Sequence, residues 1–255
     1  MLVELPGGEF DMGSPESELY RYSDEELHTV TLTPFFISKY EVTQAQYEAV
    51  MTGHASLSAT PSGNLGGALE DSDRPVENIS WDDVKDADGF LARTGLSLPS
   101  EAQWEYACRG GTTGAYFFSD PENVSWLESL FGSGEPDPEA LSQYAWYASN
   151  SRSQSHPAYT KKPNPFGLLN MLGNVREFCI DWYDPQGYVL ANESPTQGRE
   201  YVIRGGSMKS VPAQLRSAAR DQTRHDAWMR TDPQIPKRLW WYSDSIDVGF
   251  RIVRE

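Results

Sequence analysis

The chain has 255 residues, of which 38% are hydrophobic and 12% aromatic, a composition typical of a folded globular protein and not of a disordered one. Its formal net charge of −16 argues against wholesale binding to nucleic acid or to an anionic membrane. No stretch approaches the roughly 18 apolar residues that span a bilayer, and the chain as given opens without the basic and apolar regions of a secretory signal. We expect a single domain over residues 1–255, with its compartment left open.

The first forty residues read as strands joined by turns. Leu2 to Ser14 predicts two strands on either side of a Pro-Gly-Gly turn. His28 to Thr33 alternates polar and apolar residues, which is the pattern of a half-buried strand.

Helix starts are marked by capping patterns further along. Thr43 with Gln three residues later forms a capping box that predicts a helix to about Met51. Ser80 is placed to cap a second helix, with Gly95 as its stop, and Ser100 opens a third capping box. The second helix would bury one face, which carries Trp81, Val84, Ala87 and Leu91.

The most informative stretch is residues 164–181, NPFGLLNMLGNVREFCID. Asn164 to Gly167 is a turn signal, and Gly173-Asn174 turns the chain again between Asn170 and Glu177. An Asn side chain, a Glu carboxylate and inward-facing carbonyls are the oxygen ligands that Ca²⁺ accepts. The alternative is a hairpin whose polar residues face water.

This stretch resembles the NxxGNVWEW signature of the formylglycine-generating enzyme family, also called the sulfatase-modifying-factor domain. The runs YEVTQAQY (40–47) and LPSEAQWEYACRGG (98–111) resemble further motifs of that family, and the resemblance extends from about Leu2 to Arg254. It implies an α+β fold of the C-type-lectin-like kind, with small twisted antiparallel sheets, two or three helices and much irregular structure.

The resemblance also implies a structural calcium ion. Its ligands would be Asn170, the carbonyls of Gly173 and Val175, and Glu177, with a second site near Asn150 and Ser151. The chain departs from the signature where the family has two Trp residues, because it carries Arg176 and Phe178 instead.

The copper chemistry of the family is not expected here. The family's oxidases use two cysteines shortly after a Gly-Gly-Ser turn, and thiolates are the ligands that Cu(I) selects. The matching stretch, residues 205–215, reads GGSMKSVPAQL and contains no cysteine, and the single thioether of Met208 cannot replace a thiolate pair. Cys108 and Cys179 belong to other motifs. We therefore predict no copper and no formylglycine formation by that mechanism.

From Arg199 to Arg238 the chain is locally basic, and the same region carries Trp228, Trp240, Trp241 and Tyr242, so it is the candidate binding surface. Arginine and tryptophan are the residues that binding hot spots prefer. The alternative is that the aromatic residues pack in the core and the arginines are solvated. The candidate ligand-binding residues are Arg216, Arg220, Asp221, Arg224, His225, Trp228, Trp240, Trp241 and Tyr242.

Three functions stay open from the sequence. The first is a non-catalytic, calcium-stabilised module that binds a protein, a peptide or a small molecule. Relatives of this kind include variable ligand-binding proteins and cell-envelope lipoproteins, and a variable set would fall within Met208 to Asp247. The second is an oxidase or tailoring enzyme that uses another site on the same scaffold. The third is a regulatory partner that binds the substrate peptides of an active paralogue.

Overall fold

The computed structural model describes residues 1–62, 72–119, 136–186, 197–230 and 246–255. Short strands and short helices alternate with irregular segments, so the fold is α+β as expected. The strands are β1 Leu2–Leu5, β2 Gly8–Met12, β3 His28–Leu32, β4 Phe35–Ser38, β5 Arg176–Trp182, β6 Tyr201–Arg204, β7 Arg220–Gln222, β8 Val248–Gly249 and β9 Val253–Arg254. The α-helices are α1 Gln44–Met51, α2 Trp81–Lys85, α3 Phe90–Thr94, α4 Glu101–Arg109, α5 Pro138–Tyr144 and α6 His225–Trp228.

The two predicted N-terminal strands form but belong to different sheets. β1 pairs with β4, and β4 pairs with β9, so one sheet joins the two ends of the described chain. β2 pairs with β3 in a separate two-stranded sheet. The turn between β1 and β2 requires Gly7, because its φ is +67° and a Cβ there would lie 2.4 Å from the carbonyl oxygen of Leu32.

A four-stranded sheet in the order β7-β6-β5-β8 carries the C-terminal half. β5, β6 and β7 pair antiparallel, whereas β8 runs parallel to β5. β6 ends at the turn Gly205-Gly206, hereafter the Gly-Gly turn, where both residues have positive φ. A 3₁₀ turn, Pro212–Leu215, and an irregular segment follow the Gly-Gly turn, and strand pairing resumes at Arg220.

The capping patterns place the helix starts correctly. Thr43, Ser80 and Ser100 each accept a hydrogen bond from the backbone N–H three residues later, and each capping box closes. The single helix predicted after Ser80 is wrong, because it is broken into α2 and α3. Asp86 has extended backbone, and Gly89 packs so closely on the carbonyl of Asp83 that a Cβ would lie 2.5 Å from it.

The core surrounds α4 and the four-stranded sheet. Trp104 on α4 is completely buried, and the largest other fully buried side chains include three arginines, Arg204, Arg216 and Arg251. A buried guanidinium is tolerated only when it is paired and hydrogen-bonded. The positions of these arginines therefore depend on specific carboxylates. No helix among the described residues is long and apolar enough to cross a membrane.

Candidate functional site: a charged groove beside the Gly-Gly turn

A groove of about 510 Å³ opens beside the Gly-Gly turn. Its lining includes residues of β6, of the Gly-Gly turn and of the adjacent strand β7, together with Asp247. This volume lies within the range of small-molecule and peptide sites. The edge of the four-stranded sheet therefore carries the candidate site.

A chain of alternating charges runs along the groove. Arg224 Nη2 donates to Asp221 Oδ1 at 2.8 Å, and Arg176 Nη1 donates to the other oxygen of Asp221 at 3.1 Å. Arg176 Nη2 reaches Asp247 Oδ1 at 2.8 Å, and the Ser207 hydroxyl donates to Asp247 Oδ2 at 2.6 Å. Burial acts to raise the pKa of Asp247, but Arg176, Ser207 and Lys209 together outweigh it and hold the pKa below its usual range.

Two arginines that line the groove, Arg204 and Arg220, belong to a buried ion-pair cluster with the carboxylates of α4. Arg204 Nη1 donates to Glu101 Oε1 at 3.1 Å, and its Nη2 pairs with Glu105. Arg220 binds both oxygens of Glu101, at 2.6 and 2.9 Å, and lies over the ring of Tyr183. These guanidinium groups are held by the scaffold and have little freedom to meet a ligand.

The predicted ligand-binding residues divide into three groups. Arg220, Asp221 and Arg224 line the groove. Arg216 is buried and binds both oxygens of Glu25, at 2.7 and 2.6 Å. The backbone N–H of His225, at the start of α6, donates to Glu200, and Trp228 is buried beneath Arg176. Trp240, Trp241 and Tyr242 lie outside the described residues.

Neither cysteine lies in the groove. Cys108 on α4 and Cys179 on β5 are completely buried and are not joined in a disulfide. Burial raises the pKa of Cys108 to about 12 and that of Cys179 well above its usual value. Both thiols therefore stay protonated and act as small apolar residues.

The bend from Asn170 to Glu177, hereafter the bend, has three residues with positive φ, of which Gly173 is one. Asn170 and Asn174 have φ of 52° and 61°, a conformation that Asn tolerates better than most residues. Both side-chain amides turn toward Glu41, and each Nδ2 donates to one of its carboxylate oxygens at 3.0 Å. The amides of the bend are thus centred on Glu41, which lies in the segment before α1.

Glu41 and Glu177 have opposite surroundings. Glu177 binds Arg251 through both oxygens, at 2.5 and 2.7 Å, and also accepts from the indole N–H of Trp104 at 2.6 Å. Glu41 is fully buried, and no cationic side chain of the described residues lies within ion-pair distance of it. Burial raises the pKa of Glu41 to about 8.

The donor set fits a calcium ion in part. Among the described residues, Asn170 Oδ1 is buried without a hydrogen-bond partner, and Glu41 has no ion-pair partner. Hard oxygen atoms of this kind are what Ca²⁺ requires. The oxygens of Glu177 are already taken by Arg251 and Trp104. The described residues hold no cluster of three or more His, Cys, Asp or Glu side chains suited to a metal.

The remaining predicted ligands have structural contacts. The Gly173 N–H donates to the carbonyl of Gly205 at 2.8 Å, and Val175 is buried. Asn150 Oδ1 accepts from the N–H of Tyr147 at 2.8 Å within a turn. The Ser151 hydroxyl donates to the carbonyl of Met208 at 2.6 Å. The bend and the segment near residue 150 therefore both form hydrogen bonds with the chain at or just after the Gly-Gly turn.

Sequence reasoning missed four residues of these sites: Glu41, Arg176, Lys209 and Asp247. Arg176 occupies a position where the signature has Trp, so that departure was the available signal for a new role. Glu41 lies inside the run YEV, where an acidic residue flanked by apolar ones gave no sign of being buried. Lys209 and Asp247 are brought together only by the tertiary fold.

Comparison with known proteins agrees with this architecture. The sequence profile of the sulfatase-modifying factor enzyme 1-like domain matches residues 1–232. The chain is 30% identical over 256 residues to the formylglycine-generating enzyme of Streptomyces coelicolor, an alignment that covers 80% of this chain and 77% of that protein. Among solved structures, PvdO from Pseudomonas aeruginosa is similar with a TM-score of 0.75 and 25% identity, over 100% of this chain and 94% of that one.

Treponema denticola variable protein 1 shares the fold at a TM-score of 0.71 and 24% identity, over 99% of this chain and 94% of that one. The profile match, the bacterial relative and the order of the motifs lead to one conclusion. The chain belongs to the sulfatase-modifying factor enzyme 1-like family of formylglycine-generating-enzyme domains.

Proposed function

We propose that this chain is a non-catalytic binding module that takes a peptide or a small molecule in the groove beside the Gly-Gly turn. The observation that carries the proposal is a groove of about 510 Å³ on a family scaffold whose two cysteines are buried elsewhere. Binding energy in such a site comes from shape and from a few placed polar groups.

The rim of the groove favours a ligand that carries a carboxylate. The side chains of Lys209 and Arg224 are 43% and 54% exposed, so both cations are accessible. Arg224 already shares Asp221 with Arg176, and a ligand carboxylate would compete for the exposed guanidinium. Charge-assisted hydrogen bonds of this type are about twice as strong as neutral ones.

The absence of sulfur ligands supports binding over copper oxidation. Residues 205–215 contain no cysteine, and Cys108 and Cys179 are fully buried thiols. A Cu(I) site needs accessible thiolates or thioethers. Met208, the single soft side chain in this stretch, is itself buried.

A calcium ion at the bend is the second part of the proposal. Asn170 and Glu41 offer oxygens that have no cation in the described residues, and the carbonyls of Gly173 and Val175 would add backbone ligands. Glu177 would join them only if Arg251 released one of its oxygens. Because Gly173 and Asn174 are hydrogen-bonded to Gly205 and Met208, calcium bound here would stiffen the wall of the groove.

The binding proposal is tested by selecting displayed random peptides on the intact protein and measuring the enriched peptides against a groove variant. Arg224→Glu reverses an exposed charge at the rim and should weaken binding at least about tenfold, since a lost charge-assisted bond is worth roughly 1.5–3 kcal/mol. Arg199→Glu, exposed and outside the groove lining, is the matched control and should bind as the parent does. If the peptides bound Arg224→Glu as tightly as Arg199→Glu, recognition would take place outside the groove, and the proposal would be overturned.

An enzyme of the same family is the second candidate, favoured by the 30% identity to a formylglycine-generating enzyme. Purified protein would be incubated with Cu(I), oxygen and a sulfatase-type cysteine peptide, with the product followed by mass spectrometry. We expect the cysteine to stay intact. Formation of an aldehyde would show that the protein is an oxidase and would overturn the proposal of a non-catalytic binding module.

A further inference from the structure

A second cavity, of about 270 Å³, shares no lining residue with the groove. Its walls are formed by α1, by the start of α2 and by the segment 57–61. The lining residues are Tyr47, Leu57, Ser58, Thr60, Pro61, Asn78 and Asp83. Tyr47, Leu57 and Pro61 supply apolar or aromatic surface to these walls, and Asp83 is the single carboxylate among the lining residues.

Asp83 has one oxygen in use and one without a partner. Its Oδ2 accepts the N–H of Ser80 at 3.0 Å and closes the capping box of α2. Its Oδ1 is buried and has no hydrogen-bond partner among the described residues, and the residue is only 5% exposed to solvent. No Lys, Arg or His of the described residues pairs with it. A buried carboxylate oxygen without a partner costs free energy that a ligand can recover.

The cavity wall is held in place without the ligand. Asn78 Nδ2 donates to the carbonyl of Pro61 at 2.9 Å, and the Ser62 hydroxyl contacts the backbone of Glu77. The N–H groups of Ser56 and Leu57 both donate to His54 Nδ1. Tyr47 is stacked against Phe90 at 5.6 Å. A site formed in advance loses little free energy to ordering when a ligand enters.

The electrostatic surroundings are negative. Burial, followed by the charges of Asp82 and Asp86, raises the pKa of Asp83 to about 7, although its hydrogen bonds with Ser80 act in the opposite direction. Tyr47 from α1 is the other titratable group facing it, and burial together with the charge of Asp83 raises its pKa as well. An anionic ligand is repelled by this environment, and a neutral donor gains only a hydrogen bond, whereas a cation also pairs with the carboxylate and is attracted to an aromatic ring such as that of Tyr47.

We propose that this cavity is a binding site for an organic ammonium group with a short apolar tail, held by Asp83 and by the ring of Tyr47. Leu57 and Pro61 would pack on the tail. The site is independent of the groove and of the bend, so it stands whether or not the groove binds a peptide.

The test uses n-butylammonium as the probe on the full chain, with 1-butanol as the uncharged isostere, followed by amide chemical shifts in NMR. We expect n-butylammonium to shift the amides of Leu57 and Asn78 and to bind at least about tenfold more tightly than 1-butanol. Its affinity should rise between pH 6 and pH 8, because Asp83 loses its proton over that range. Affinity for 1-butanol should not change with pH.

Asp83→Asn keeps an acceptor for the Ser80 N–H and should reduce n-butylammonium binding to the level of 1-butanol. Glu48→Gln, at an exposed position of α1 outside the cavity lining, is the matched control and should keep the affinity within about twofold. Thr60→Trp at an exposed position of the wall should block the site without touching the helix cap. Equal binding of the charged and uncharged probes, or unchanged affinity in Asp83→Asn or in Thr60→Trp, would overturn the proposal.

Discussion

At the scale of single residues, the ion pairs and hydrogen bonds of the buried carboxylates decide which of them can bind a cation. Glu177 is committed to Arg251 and Trp104, whereas Glu41 has only two amide donors. The motif alone made Glu177 the expected calcium carboxylate. Of these two carboxylates, Glu41 is the one that has no ion-pair partner among the described residues.

This difference changes the calcium experiment. Calcium in excess should raise the melting temperature of the parent protein, since an ion bound only by the folded state adds about 2.7 kcal/mol at a hundred times its Kd. Glu41→Gln should abolish the response while leaving the fold intact. Melting temperatures would be measured with calcium and with a chelator.

Glu177→Gln is a poor substitute, because it leaves the buried Arg251 without its charge partner and should destabilise the protein by about 3–5 kcal/mol with or without calcium. If neither calcium nor the chelator moves the transition of the parent protein, there is no calcium site at the bend.

Glu77 is a second buried carboxylate with a testable pH dependence. It is 3% exposed, its Oε2 has no hydrogen-bond partner in the described part of the chain, and burial raises its pKa to about 8 from an ordinary value of 4.5. Between those values the folded state holds a proton that the unfolded state has lost, so stability falls as pH rises through this window. Glu77→Gln should be neutral near pH 4 and should stabilise the protein by about 1–3 kcal/mol at pH 8.5.

Urea unfolding at the two pH values measures this effect. Glu9→Gln on β2, at an exposed position, is the control and should change stability by less than about 0.5 kcal/mol at either pH. A Glu77→Gln variant with the parent's pH profile would show that Glu77 stays ionised in the folded protein.

At the scale of elements, close backbone approach fixes the bend. The Gly173 backbone has φ of +77°, and a Cβ there would lie 2.2 Å from the carbonyl oxygen of Trp146. Gly167, in the preceding turn, has a similar φ of +80° but open space around it. The two glycines therefore separate the cost of backbone conformation from the cost of a clash.

Gly173→Ala should destabilise the protein by more than about 3 kcal/mol, because the clash adds to the left-handed strain. Gly167→Ala should lose only about 1–2 kcal/mol, the cost of placing a side chain at positive φ. Chemical denaturation of both variants measures the difference. Equal losses would mean that the contact with Trp146 relaxes freely and that the bend is not held by it.

The split of the second helix also belongs to this scale. Its sequence places Trp81, Val84 and Leu91 at helical spacing, so a continuous helix was a sound expectation. The break comes from Gly89 packing on Asp83, a contact that the periodicity of side chains does not encode.

At the scale of the whole molecule, the ion pairs of α4 hold the N-terminal and C-terminal halves together. Arg204 on β6 pairs with Glu101 and Glu105, which lie 103 and 99 residues earlier in the chain. Burial acts to raise the pKa of Glu105, but Arg109 and Arg204 outweigh it and hold the pKa below its usual range. The sheet that carries the groove is therefore attached to the helix through charges.

Arg204→Met should destabilise the protein by about 3–5 kcal/mol at pH 7, because two buried carboxylates lose a partner. Arg199→Met, in an exposed pair with Asp226, is the control and should change stability by less than about 0.5 kcal/mol. Unfolding by urea measures both. Similar losses for the two variants would show that the buried cluster contributes no more than a surface pair.

Local features were readable from the sequence by itself. The three capping boxes, the glycine turns and the missing cysteine pair depend on residues that are neighbours in the chain, and so does the motif that indicated the family. Each of these features involves interactions within a few residues, which a single sequence displays directly.

Only the tertiary structure decided which charged and polar residues pair with one another. Arg216 and Arg220 were both candidate ligand residues, yet one is buried on Glu25 and the other is held by Glu101. Glu41 meets Asn170 across 129 residues of chain, and Arg251 meets Glu177 across 74. Pairings over such distances are set by the fold that brings the elements together, and a buried charge takes whichever partner lies within reach.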